Sequence, residues 1–167
     1  MILEELAKNA TIEKFTQIEA AERQLDRAIS LFLIEKDYIS AVTLAGAAEG
    51  ILGEALKKTR KLFFYGILRL VLKKTFLSIF NTEEKLDQHL NGIRNSLKHF
   101  DGDMNKQIEH AMDLEAIQMI VRAVGSYGLL TKEVTPKSPE FVAWLRDNHP
   151  EVLKFAKNFD GSNLMIE

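Results

Sequence analysis

At 167 residues, with 46% hydrophobic and 28% charged side chains, the chain is long enough to bury one hydrophobic core and too apolar to be a disordered segment. It contains no cysteine, which excludes disulfides, thiolate metal sites and cysteine nucleophiles; a reducing cytoplasm is the expected location. The net charge of −2 hides an asymmetry: Lys57, Lys58, Arg60, Lys61, Arg69, Lys73 and Lys74 fall between Ala55 and Thr82 without an acid, so that segment carries +7 and the remainder −9. A basic stripe on an acidic body fits a polyanion such as RNA, and fits as well a solvated helix face paired with acids elsewhere.

The opening Met1-Ile2-Leu3-Glu4-Glu5-Leu6 lacks the basic head and long apolar stretch of a secretory signal, so export is not expected. From Thr11 to Glu35, Ile18, Ala21, Leu25, Ile29, Phe32 and Leu33 recur at the spacings of an apolar helical stripe. Asp37 offers an N-cap for a second helix, Tyr38 to about Leu56, after a connection short enough to fold the two into an antiparallel pair. This second helix is crowded with Ala41, Ala45, Gly46, Ala47, Ala48, Gly50 and Gly53, which let a neighbour approach closely; the glycines have neither the preceding strand nor the spacing of a phosphate loop. Glu49 stands at the border of that small-residue face, where a salt-bridged structural role and a substrate-side role both fit.

A third, basic and apolar helix is expected over about Lys58 to Phe80. Its most apolar run, Leu62 to Leu72, contains Arg69 and spans 72 − 62 + 1 = 11 residues, against the about 20 of a membrane-spanning helix, so no membrane span is expected. Asn81 and Glu84 have capping-box spacing for a fourth helix, whose stripe is Leu86, Leu90, Ile93 and Leu97 and which ends at the turn signal Phe100-Asp101-Gly102-Asp103. A fifth follows from about Asp113 to Leu130 with Leu114, Ile117, Ile120, Val121 and Val124 inward. Ser138 as N-cap and Pro139 at the first helical position then start a short helix to about Asn148, and after His149-Pro150 the segment Glu151 to Asn158 adds a further turn or two. The expected architecture is all-α: an up-and-down bundle of about five main helices over residues 1–135, with residues 136–167 a helical appendage packed on it, one domain overall.

The fourth helix carries the most suggestive letters, Arg94-Asn95-Ser96-Leu97-Lys98-His99. At about 100° per residue Arg94 and His99 stand about 140° apart, so one straight helix does not aim both at a single atom. Asn95 and His99, at i and i+4, share a face, with Asn91 and Lys98 on the same polar arc. Gly92 and Ser96 form a small-residue seam that a second copy could approach, and a two-fold dimer would then build each site from both chains. The ordinary reading of the same letters is a polar helix end on which the helix dipole favours cations. His89, His99 and His110 do not form a metal-binding HExxH pair, no nucleophile elbow supports Ser-His-Asp chemistry, and no metal or other cofactor is expected.

The segment Ala20 to Leu56, followed by Gly92-Ile93-Arg94-Asn95-Ser96-Leu97-Lys98-His99 in a later helix, resembles the HEPN superfamily of small helical-bundle proteins, and more narrowly a bacterial group of HEPN-like proteins. The resemblance covers about Thr11 to Leu130 and centres on an arginine, a polar residue, a few variable positions and a histidine. It implies metal-independent RNA cleavage at a composite homodimer site, with His99 moving a proton, Arg94 stabilising charge on the phosphate, and Asn95 positioning the histidine or the RNA. Lys98, Asn91 and Glu49 are the accompanying substrate-side candidates, and an antitoxin-like protein is an implied partner. Toxin members often carry a tyrosine two residues past the histidine; Asp101 stands there in this chain and opposes a polyanion. The alternative is a non-catalytic module for nucleotide binding, dimerisation or regulation.

Overall fold

The computed structural model describes residues 10–59, 83–99 and 102–150. Beyond Thr59, the expected basic helix lies outside the described residues, as do Asn81, Asp101, the turns expected after Pro150, and the side chains of Glu84, Leu86, His89 and Leu90. Among the described residues there are five helices and no strand: α1 (Gln17–Ser30, continued by a π-helical turn at Leu31–Glu35), α2 (Tyr38–Lys58), α3 (Glu83–Ser96), α4 (Met112–Thr131) and α5 (Ser138–Asn148). The fold is an all-α bundle.

Helix α1 starts at Gln17 rather than near Thr11 because residues 10–16 are exposed and give a helix nothing to pack on. A capping box sets the start instead. The Thr16 hydroxyl accepts from the Glu19 N–H at 3.1 Å and the Glu19 carboxylate accepts from the Thr16 N–H at 2.6 Å, which also holds the Glu19 carboxyl below its usual range. At the far end the helix widens into its π turn and stops at Lys36 in the left-handed conformation, φ 57°, with the Asp37 N–H returning to the Leu31 carbonyl. Asp37 caps α2 as its sequence predicts, accepting from the Ser40 N–H at 3.1 Å.

Helix α2 occupies the centre, packing most extensively against α4 and α1. Ala41, Val42, Ala45, Ala48 and Leu52 on α2 are fully buried, as are Ala21, Leu25 and Ile29 on α1 and Ala116, Met119, Ile120 and Ala123 on α4. Each of the larger ones contributes about 1.5–3 kcal/mol by leaving water. By length and composition α2 also meets the minimum for a bilayer-crossing helix, a test that buried core helices pass as well. Leu114, expected inward, is 53% exposed, since α4 presents Ala116, Met119, Ile120 and Ala123 to the core instead.

Helix α5 is fixed by an aromatic corner: Phe32 at the end of α1 meets Trp144 edge-on at 4.8 Å and Phe141 at 5.7 Å, with Tyr38 of α2 at 5.4 Å. Ser138 is the first residue of α5 and not its cap; its hydroxyl is bonded to that of Thr135 at 2.7 Å. Thr135 in turn donates to Asp26 at 2.6 Å, and the Lys137 N–H donates to the same carboxylate oxygen at 2.9 Å, tying the α4–α5 loop to α1. One turn earlier the Tyr127 hydroxyl donates to Glu22 at 2.8 Å; burial, reinforced by that carboxylate, pushes its pKa up to about 12.

Candidate functional site around helix α3

Helix α3 reaches the bundle through Ile93, which is fully buried, and Leu97, which packs against the same core. That anchoring turns Asn91 and Arg94 inward toward α2 and α4 and leaves Asn95, Lys98 and His99 on the outer end. The helical hydrogen bonding runs past Ser96, because the His99 N–H still donates to the Asn95 carbonyl at 3.1 Å and holds the histidine one turn beyond the asparagine.

Arg94 lies along α2. A Cβ at Gly46 would sit 3.1–3.2 Å from its Cδ, Cγ and Nε, and one at Gly50 would sit 3.0 Å from its Nη2, so these two glycines form a trough for the arginine side chain. At the end of the trough Arg94 Nη1 stands 3.3 Å from Glu49 Oε2, with the arginine side chain 21% exposed and the glutamate 6%. The same carboxylate oxygen faces a second guanidinium: Arg122 of α4, 1% exposed, places Nη2 at 3.3 Å from it and at 3.3 Å from Asn91 Oδ1. Four side chains from three helices thus share one buried network. Beside it a 360 Å³ cleft opens between α2 and α3, lined by Glu49, Gly50, Gly53, Glu54, Lys57, Asn91 and Arg94.

The remaining candidates face another way. Asn95, Lys98 and His99, together with Ser96, Leu97, Asp103, Lys106 and Ile108, line a 560 Å³ open groove between the end of α3 and the loop that leads to α4. Three basic side chains meet one acid there, over an apolar floor of Leu97 and Ile108. The Lys98 ammonium is held below the usual lysine range, first by partial burial and then by the Arg94 charge, while Glu49 opposes the shift. The six candidates therefore divide into an inner group, Glu49, Asn91 and Arg94, and an outer group, Asn95, Lys98 and His99. Arg94 and His99 do not converge within one chain, in keeping with the angle between them along the helix.

Arg122 is the member of the network that sequence reading missed. Its signal was a lone cation within Met119-Ile120-Val121-Arg122-Ala123-Val124, where a charge has no reason to be buried unless it is paired. His110 is 3.5 Å from Glu115, and no group of three metal-ligating side chains occurs among the described residues. No family model, curated protein or solved structure matches this chain.

Proposed function

We propose that this chain is a HEPN-like RNA-binding protein whose groove at the end of α3 cleaves RNA without a metal when two copies pair. The observation that carries the reading is the convergence of Asn95, Lys98 and His99 with Lys106 in one open groove. Lys98 and Lys106 supply phosphate contacts, and Leu97 and Ile108 supply apolar surface for a base. A neutral His99 imidazole takes the proton from a ribose 2′-hydroxyl as that oxygen bonds to the adjacent phosphorus; the bond from phosphorus to the 5′ oxygen breaks, and the departing oxygen is protonated by the imidazolium. The products are a 2′,3′-cyclic phosphate and a 5′-hydroxyl.

A two-fold pairing through the Gly92 and Ser96 side of α3 completes the site, because a second copy adds cations that one chain does not bring to its own histidine. Nothing lies within 4 Å of a Cβ built on Gly92, which leaves room for that approach. A cytoplasmic location and an antitoxin-like partner belong to the same reading.

One observation favours a second reading, a non-catalytic nucleotide-binding or interaction module: Arg94, the residue that would stabilise the phosphate, is engaged with Glu49 inside the bundle. Incubating a mixed RNA with the protein in the presence of a chelator separates the two. Cleavage with cyclic phosphate ends that falls about 100-fold or more in His99→Ala supports the nuclease. A dimeric wild type that binds RNA and leaves it intact leaves the module.

A further inference from the structure

Arg122 is the largest fully buried side chain among the described residues, on a helix whose neighbouring core positions are Met119, Ile120 and Ala123. Packing alone would be served as well or better by methionine or leucine, because a guanidinium taken from water has to be matched by acceptors before it becomes tolerable. The charge therefore finds its reason in what it holds. A single nitrogen, Arg122 Nη2, contacts Glu49 Oε2 of α2 and Asn91 Oδ1 of α3, and Glu49 holds Arg94 of α3 through that same oxygen. Asn91 and Arg94 stand one helical turn before Asn95 and Lys98, so the network grips α3 on the turn directly beneath the groove. Its charges reach the groove as well, since those of Arg94 and Glu49 are both felt at Lys98.

We infer that Arg122 is a positioning residue for the groove: by joining Glu49 and Asn91 it fixes the rotation and reach of α3 and so places Asn95, Lys98 and His99. Its importance for RNA rests on the function proposed above, whereas the positioning itself is read without RNA.

The test uses the full chain and follows the His99 imidazole proton resonances, assigned with His99→Gln, together with amide hydrogen exchange along α1 and α3. Arg122→Met is expected to move the His99 resonances and to speed exchange over residues 91–96 at least tenfold more than over α1, with partial recovery in Arg122→Lys. Tyr127→Phe, which weakens the bundle away from α3, should leave the His99 resonances in place. Should Arg122→Met not fold, Asn91→Ala cuts the arm to α3 without stranding a charge and is expected to shift His99 by itself. Unchanged His99 resonances in the folded Arg122 or Asn91 variants, with α3 exchanging in step with α1, would overturn the inference. Binding of a fluorescent single-stranded RNA, measured in parallel, keeps the two claims apart. A wild type without RNA affinity removes the functional reading and leaves the resonance test intact, while a tenfold loss of affinity in Arg122→Met with His99 displaced supports both.

Discussion

Two polar clusters are built into this bundle, and they join its helices by different chemistry. Between α2, α3 and α4, two guanidiniums converge on one carboxylate oxygen at the inner wall of the α2–α3 cleft, with Arg122 and Glu49 buried and Arg94 partly exposed. Between α1 and the end of α4 with its following loop, carboxylates at the margin of the core accept from a tyrosine, a threonine and a backbone N–H. Every contact in the second cluster pairs an acid with a neutral donor, so losing one contact leaves no buried cation stranded. In the first, losing Glu49 takes away the buried carboxylate that two guanidiniums share. The hydroxyl cluster closes the bundle economically, whereas the ionic one is a costly device that lies directly behind the α3 groove.

The sharpest way to break this contrast is Glu49→Ala, expected to destabilise the protein by about 3–5 kcal/mol in urea unfolding because two guanidiniums lose the buried carboxylate they share. A loss of under about 1 kcal/mol would show that the network is hydrated and mechanically slack. Asp26→Ala, which removes the acceptor for Thr135 and for the Lys137 N–H, should cost about 2–3 kcal/mol by the same measurement, with α5 losing order first.

Tyr127→Phe should cost about 1.5 kcal/mol at neutral pH, and its pH dependence is more telling. The folded-state pKa of Tyr127 is raised to about 12 from the ordinary tyrosine value of about 10, so in alkali the unfolded chain loses this proton first. The stability tied to the protonated phenol is whole below pH 10 and falls away as pH rises from 10 to 12. Thermal melts through that window should therefore show a shallower decline for the phenylalanine variant than for wild type. The smallest expected effect on folding is that of His99→Ala, within about 0.5 kcal/mol, as for an exposed side chain without a structural bond. If that variant unfolds as readily as Asp26→Ala, the outer end of α3 is part of the scaffold and not a surface kept for a ligand.

Local pattern made much of the bundle legible. Ala21, Leu25, Ile29 and Phe32 are buried as their spacing predicts, and Asp37 caps α2 because an acid before a helical stripe has a donor waiting at the third following position. Helix α4 was harder, being apolar nearly all round: burial fell to the small Ala116 and Ala123, and larger Leu114 remained outside. At the site, the angle between Arg94 and His99 could be read from helical geometry, so their separation was foreseeable. The destination of Arg94 was not, because its partner Glu49 lies 45 positions away and the glycines that admit it read equally well as a general packing face. Arg122 was hidden for the same reason, as pairing between distant helices leaves no local period.

The glycines of α2 also bear on how the chain is made. Gly46, Gly50 and Gly53 each lower helix propensity by about 1 kcal/mol relative to alanine, so α2 is a poor helix until its neighbours arrive. Arg122 lies 122 − 49 = 73 positions after Glu49, and at about 5–20 residues per second a ribosome takes about 4–15 s to deliver it. Until then the apolar face of α2 has no complete α4 to cover it, and Glu49 has Arg94 for the last part of the interval at most. The nascent chain, more than the finished protein, is the state most exposed to aggregation and proteolysis, and a stalled synthesis before residue 122 leaves a product with an open core.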